Sequence, residues 1–145
     1  KEAEKAAQKG EVPIGAVIVS DNKIIARGHN LKETAADATN HAEIIAIKKA
    51  SKKLGRWRLT NSIIYVTLEP CLMCMGALIQ ARIERLVFGC YDPKAGACGS
   101  LYNLSHDKRL NHQIKVTQGI MAVECGEGIR DFFKSLRSKS AKSTA

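Results

Sequence analysis

"SIIYVTLEPCLMCMGALIQARIERLVFGC", residues 62–90, decides the class of the fold. Its first eight residues are an apolar, β-branched run that stops at Pro70, the pattern of a buried strand. Residues 71–83 have a helical pattern and are apolar on nearly every side, so this helix should be buried on both faces. "RLVFGC" then returns to a short apolar strand. Strand, helix and strand in succession argue for at least partly parallel strands covered by helices.

Outward from this unit the chain keeps the same character. "PIGAVIVS" and "IIARGHN" flank the turn Asp21-Asn22-Lys23 and predict a hairpin over residues 13–30. Residues 1–9 read as the end of a helix. "LKETAADATN" is polar and irregular, and Thr39 or Asn40 is placed to cap a helix that starts near His41. Ile44, Ile45, Ile47 and Leu54 give that helix an apolar face. Residues 91–112, rich in Gly, Asn, Ser and Asp, form a loop too long to be idle in a compact domain, and a functional loop is expected there. "QIKVT" is a short strand. "VECGEGIRDFFKSLRS" is a last amphipathic helix with Ile129, Phe132, Phe133 and Leu136 on one face. The element order predicts an α/β domain whose ligands gather beyond the strand carboxyl ends, where loops lead into helices. His41 and Cys71 both begin helices, and Cys71 directly follows a strand.

A length of 145 residues with 45% hydrophobic content suits one domain with a real core. No repeat or linker divides it, and residues 138–145 are expected to form a disordered basic tail. No stretch approaches the roughly 20 apolar residues of a membrane span. The start, "KEAEKAAQKG", is a charged helical pattern and not a signal peptide, so a cytoplasmic protein is expected. The chain lacks an initiator Met, and a few upstream residues are expected. Five cysteines, an odd count in a chain of this size, argue against a disulfide framework. Cys90 and Cys125 read as small buried hydrophobes, while Cys98, beside glycines, stays open.

The formal net charge is +9, and six of the cations fall in "KKASKKLGRWR", residues 48–58. Part of this run complements a helix C-terminus that Gly55 would stop. The rest, with Lys134, Arg137, Lys139 and Lys142 near the end, suits a polyanionic partner.

"EPCLMC" carries Cys71 and Cys74. At i and i+3 on a first helical turn, two thiolates share a face and can pinch one metal, and the helix N-terminus favours the thiolate forms. Alone, a C-x-x-C is equally a redox pair or two core thiols. His41, at another helix start, makes a His/Cys/Cys set that suits zinc and is poor for calcium or magnesium. Three ligands leave a fourth position open, as in a catalytic site. A closed structural site would draw on His29, His112, Cys90 or Cys98, none of which pairs at ligand spacing. An open position binds water and lowers its pKa from ~15.7 to about 7. Glu43, two residues past His41, is the candidate proton carrier, although an acid in a first helical turn is common in any case.

H-A-E followed by P-C-x-x-C is the signature of the zinc-dependent cytidine and adenosine deaminase superfamily. "GEVPIGAVIV", "ARGHNLKET", "HAEIIAIKKA", "IYVTLEPCLMCMGALIQARIERLVFG", "DPKAGACGSLYNL", "LNHQIKVTQGI" and "FFKSLR" together resemble the bacterial tRNA-specific adenosine deaminases, over residues 3 to 137. The resemblance implies a single deaminase domain over residues 1–137. Its fold would be a three-layer α/β/α sandwich around a mixed five-stranded sheet, working as a homodimer with one zinc ion per subunit. It implies conversion of the wobble adenosine of an arginine tRNA to inosine. His41, Cys71 and Cys74 would hold zinc, and Glu43 would shuttle the proton. Asn30 would bond the flipped nucleoside. Asn111, Asp92 and Lys94 match positions near the anticodon nucleotides, and Phe133 and Arg137 match a helix beside the anticodon stem-loop. Phe133 is equally a good core residue. Where the family usually has D-P-T-A before H-A-E, this chain has Asp37-Ala38-Thr39-Asn40, and a less rigid loop is expected. Two alternatives stand beside this reading. One is a zinc-dependent deaminase of a free base or nucleoside such as guanine or cytosine, and the other a zinc-stabilised RNA-binding module without catalysis.

Overall fold

In chain order the computed structural model, which describes residues 1–143, runs α1 (Glu2–Gln8), β1 (Gly15–Ser20), β2 (Lys23–His29), α2 (Ala42–Leu54), β3 (Ser62–Leu68), α3 (Leu72–Gln80), β4 (Arg85–Cys90), β5 (Lys115–Gln118) and α4 (Ala122–Ser143). The five strands form one sheet in the order β2-β1-β3-β4-β5. β1 is antiparallel to β2 and β3, whereas β3, β4 and β5 run parallel. The sheet is therefore mixed, as expected. Asp21 (φ 49°) and Asn22 (φ 58°) turn the hairpin in the left-handed region, the geometry that matches strand twist in a two-residue loop.

Alternation along the strands sorts the two faces. Ala16 and Ile18 of β1, Ile64 and Val66 of β3, and Leu86 and Phe88 of β4 join one buried cluster with Ala42, Ala46 and Ala50 of α2 and Met75, Leu78 and Ile79 of α3. On the opposite face Val17, Tyr65, Thr67 and Val87 line a groove of about 260 Å³ whose other walls come from the starts of α1 and α4. Helices thus cover both faces, and the architecture is the three-layer sandwich. Each large apolar side chain sealed in the core contributes about 1.5–3 kcal/mol. Gly28 in β2 is required by packing: a Cβ there would run into the carbonyl of Ala42. The alanines at every fourth position of α2 and this glycine seat the first turn of α2 hard against β2, which fixes where His41 lies.

Several boundaries differ from expectation. The N-cap of α2 is His41 itself, in extended geometry (φ −77°, ψ 154°) with no side-chain cap bond. Thr39 is unavailable as a cap because its N–H and Oγ1 both bond Asp37 Oδ1, at 2.8 and 2.7 Å. Gly55 (φ 65°) stops the helix as anticipated. β5 begins two residues later than "QIKVT", at Lys115. α4 continues to Ser143, so residues 138–143 are helical where a disordered tail was expected. Nothing between Leu136 and Ser143 is a helix breaker, and Lys, Arg and Ala sustain the turns. The remaining residues of that tail lie outside the described structure. On α4 Ile129 and Phe132 are half-buried, but Phe133 and Leu136 are each 41% exposed. On α3 Cys74, Met75, Leu78 and Ile79 are buried while Leu72 and Met73 stand exposed. Cys90 and Cys125 are half-buried and Cys98 is buried. Among the described residues no helix is long and apolar enough to cross a membrane.

Candidate active site

Two helix starts make the floor of the site. β3 ends at Leu68, Glu69-Pro70 turns the chain, and Cys71 (φ −76°, ψ 177°) is the N-cap of α3. Neither Cys71 nor His41 spends its side chain on capping its own helix. Instead the two face each other: His41 Nδ1 lies 3.7 Å from Cys71 Sγ and 3.5 Å from Cys74 Sγ. The three donor atoms all fall within 4.8 Å of one another. Zinc bonds of about 2.3 Å to sulfur and about 2.0–2.1 Å to nitrogen, at the tetrahedral angle, require nitrogen–sulfur separations of ~3.6 Å. The donor set therefore fits a zinc ion in both chemistry and spacing. Among the described residues no fourth His, Cys, Asp or Glu joins the group. The rival candidates are engaged elsewhere: His29 with Glu2, His112 with the Ile83 carbonyl, and Cys90 with the Thr67 carbonyl.

Proton sharing makes the set receptive to a cation. The hydrogen bond from Cys74 holds the Cys71 thiol down at about 4. The same contact, together with burial, pushes the Cys74 thiol up. The hydrogen bond with Cys71 holds the His41 imidazole up. One thiolate is thus already formed, and a dication binding here displaces the other protons. Glu43, 4% exposed in the first turn of α2, stands beside the donor atoms without being one of them. Burial pushes its carboxyl up, and the Cys71 thiolate adds to the effect. A carboxyl whose proton affinity is raised in this way is suited both to take and to give a proton.

Two further buried glutamates, which sequence reasoning missed, hold the loops on either side. Glu69 is 2% exposed, and its carboxylate accepts from the N–H groups of Asp92 (2.8 Å), Cys98 (3.0 Å) and Ser100 (2.9 Å) and from the Ser100 hydroxyl. Gly96 must be glycine because a Cβ would collide with this carboxylate. The loop 92–100 is thereby clamped against the turn that carries Cys71, which itself bridges to Gly96. On the other side, Glu11 is fully buried and binds Asn30 and the amides of Glu33 and Thr34. The signal in the sequence was slight: one acid beside each apolar strand, in "GEVPIG" and "TLEPC".

The other expected residues divide into groups. Asn30 is 5% exposed, and the next residue, Leu31, donates its N–H to the carbonyl of Asn40 at 3.0 Å, one position before His41. The segment before His41 is closed by Asp37, whose carbonyl accepts from Asn40 N–H at 3.1 Å, so the turn is held without the usual proline. Lys94, Phe133 and Arg137 line a groove of about 580 Å³, and Asp92, Lys94 and Phe133 share a second of about 570 Å³. Neither groove is lined by His41, Glu43, Cys71 or Cys74. Asn111 is exposed next to His112 and lines neither. The basic run 48–58 begins midway along α2, with Lys48 ~10 Å from His41, and continues past the helix end at Leu54, ~20 Å away. There Arg58 stacks on the exposed Trp57, 4.6 Å from the ring centroid. Among the described residues none of the six cations in that run makes an ion pair.

The chain is similar to known proteins along nearly its whole length. The family model of the MafB19-like deaminases matches residues 1–137. A tRNA-specific adenosine deaminase of Bacillus subtilis is 52% identical over 139 residues, 96% of this chain and 86% of the relative. Among solved structures, one from work on A-to-I editing by tRNA deaminases at the wobble position superposes with a TM-score of 0.85 at 43% identity, covering 88% of this chain and 92% of the other. A guanine deaminase from Bacillus subtilis superposes with a TM-score of 0.62 at 32% identity, covering 94% and 87%.

Proposed function

Because the chain belongs to the MafB19-like deaminase family, together with the bacterial tRNA-specific adenosine deaminases, we propose that it hydrolyses the wobble adenosine of a tRNA anticodon, in an arginine tRNA, to inosine. The observation that carries this reading is the convergence of His41, Cys71 and Cys74 at two helix starts with Glu43 buried beside them. His41, Cys71 and Cys74 hold one zinc ion. When bound, that ion supplies a water acidic enough to act as a nucleophile near neutral pH. Glu43 would take a proton from the attacking water as its oxygen bonds to C6, and would deliver that proton to the neighbouring ring nitrogen before the C6–N6 bond breaks. It then assists departure of the amino group as ammonia, so that one water is consumed and one ammonia released. Its carboxyl suits both duties because burial raises its proton affinity. Asn30 bonds the nucleoside. Asn111, Asp92, Lys94, Phe133 and Arg137 meet the anticodon stem-loop, whose bases are poorly stacked and therefore less expensive to flip than those of a duplex. Exposed Leu72 and Met73 at the start of α3 suit a homodimer contact.

The zinc-loaded protein should convert an anticodon stem-loop with wobble adenosine to the inosine form, read by mass spectrometry as a gain of about 1 Da, the mass difference between an oxygen and an NH group. It should leave free adenosine and guanine largely untouched. Turnover of guanine or free adenosine with none on the stem-loop would replace this reading with the free-base one.

A further inference from the structure

The buried carboxylate of Glu11 does more than seal a loop. Its Oε1 accepts from Thr34 N–H at 2.6 Å, and its Oε2 accepts from Glu33 N–H at 3.3 Å and from Asn30 Nδ2 at 3.4 Å. Burial pushes this carboxyl up, but the amides of Thr34 and Glu33 outweigh it and hold the group below the ordinary glutamate range, so it is an anion at neutral pH. An ionised carboxylate can only accept hydrogen bonds. Asn30 must therefore turn its NH2 toward Glu11, which leaves the carbonyl oxygen Oδ1 facing the other way. Among the described residues no donor meets Asn30 Oδ1. It is nevertheless not sealed: among the described residues the sole buried side-chain nitrogen or oxygen without a partner is Ser62 Oγ. The backbone fixes the residue as well, through Asn30 N–H to the Ile14 carbonyl and Leu31 N–H to the Asn40 carbonyl, both at 3.0 Å. Asn30 is thus held rigidly, one side chain's reach from the segment that delivers His41, with a single open acceptor.

We infer that Glu11 is a positioning residue that sets the polarity of Asn30, so that Oδ1 meets a hydrogen-bond donor of the nucleoside and cannot serve a ring-nitrogen acceptor. This rests on the proposal that Asn30 contacts the nucleoside. Either partner altered alone breaks the arrangement. In Glu11→Gln the new NH2 faces the NH2 of Asn30 or invites the amide to flip. In Asn30→Asp two carboxylates face each other. Combining them restores complementarity between the two side chains: the glutamine NH2 donates to the aspartate, the aspartate keeps an acceptor toward the nucleoside, and the one donor left without its acceptor is the Glu33 N–H. A glutamine oxygen in the Oε1 place still serves Thr34.

The test is a double-substitution cycle on the zinc-loaded protein, reading kcat and KM on whichever substrate the unaltered enzyme turns over, with zinc content as a control. Each single substitution should lower kcat/KM about tenfold or more, and the pair should recover to within about threefold of the starting enzyme. Losses that simply add, or Glu11→Gln with unchanged kinetics, would overturn the inference. If Glu11→Gln does not fold, Asn30→Asp decides: zinc retained with at least a tenfold loss supports it, and full activity refutes it. A starting enzyme inactive on the stem-loop but active on guanine breaks the tRNA reading and leaves the cycle to be run on guanine.

Discussion

At the floor of the cleft, three donor atoms from two helix starts lie within 4.8 Å of one another, and the carboxylate beside them is 4% exposed. At the rim, Lys94, Phe133 and Arg137 stand on a loop and on a helix that touches the sheet along a single half-buried stripe. The floor is rigid because each ligand sits on a helix seated in the core. The rim is open because α4 docks along one stripe, and under the proposed function its side chains would meet a large polyanion and release it. Substitutions at the floor should therefore change chemistry with little effect on RNA affinity, and those at the rim should do the reverse.

The largest effect is expected at Glu43. Glu43→Ala should keep one zinc per chain, measured by metal analysis, and lose about 10²- to 10⁴-fold in kcat, the usual worth of a general acid–base. Cys74→Ser should instead lose the metal, which would show that the two floor residues fail in different ways. Undiminished turnover in Glu43→Ala would remove the distinction between floor and rim. Glu69→Gln tests the boundary between them. Its amide cannot accept from all four donors now satisfied, and a buried donor left unpaired costs about 1–3 kcal/mol, visible as a lower midpoint in urea. Because the loop 92–100 would loosen, KM for the stem-loop should rise more than kcat falls. The smallest effect belongs to Arg137→Ala. Binding should weaken severalfold, and the slope of log affinity against log salt should drop by about 0.7–0.9, with no change in melting temperature. A large loss of kcat there would mean that the rim takes part in the chemistry.

The floor was legible in the sequence because its information is local. A C-x-x-C after a strand and a proline, and a histidine at another helix start, declare both residue type and position. The hairpin and the β3-α3-β4 unit were legible for the same reason, since periodicity and turn residues act over a few positions. The two supporting glutamates were not. Glu11 and Glu69 bind mostly backbone N–H groups that lie 22–31 residues away, and a backbone amide carries no sequence signature. The cap of α2 was misread because Thr39 is a good cap in isolation, whereas here Asp37 claims it. The helical end of α4 was not legible because chain ends are commonly poorly ordered, whereas this one contains nothing that stops a helix up to Ser143. Phe133 reads as a core residue by type, and only the docking of α4 along one stripe leaves it exposed.

The cations of the basic run 48–58 from Lys52 onward stand ~16 Å or more from His41, about two screening lengths at physiological ionic strength. They are too distant to alter proton affinities at the metal floor. For a polyanionic substrate their effect falls on the approach: a patch of one sign raises the frequency of encounter while leaving the chemical step alone. Under the proposed function, the length of helix α2 would separate capture at one end from bond breaking at the other.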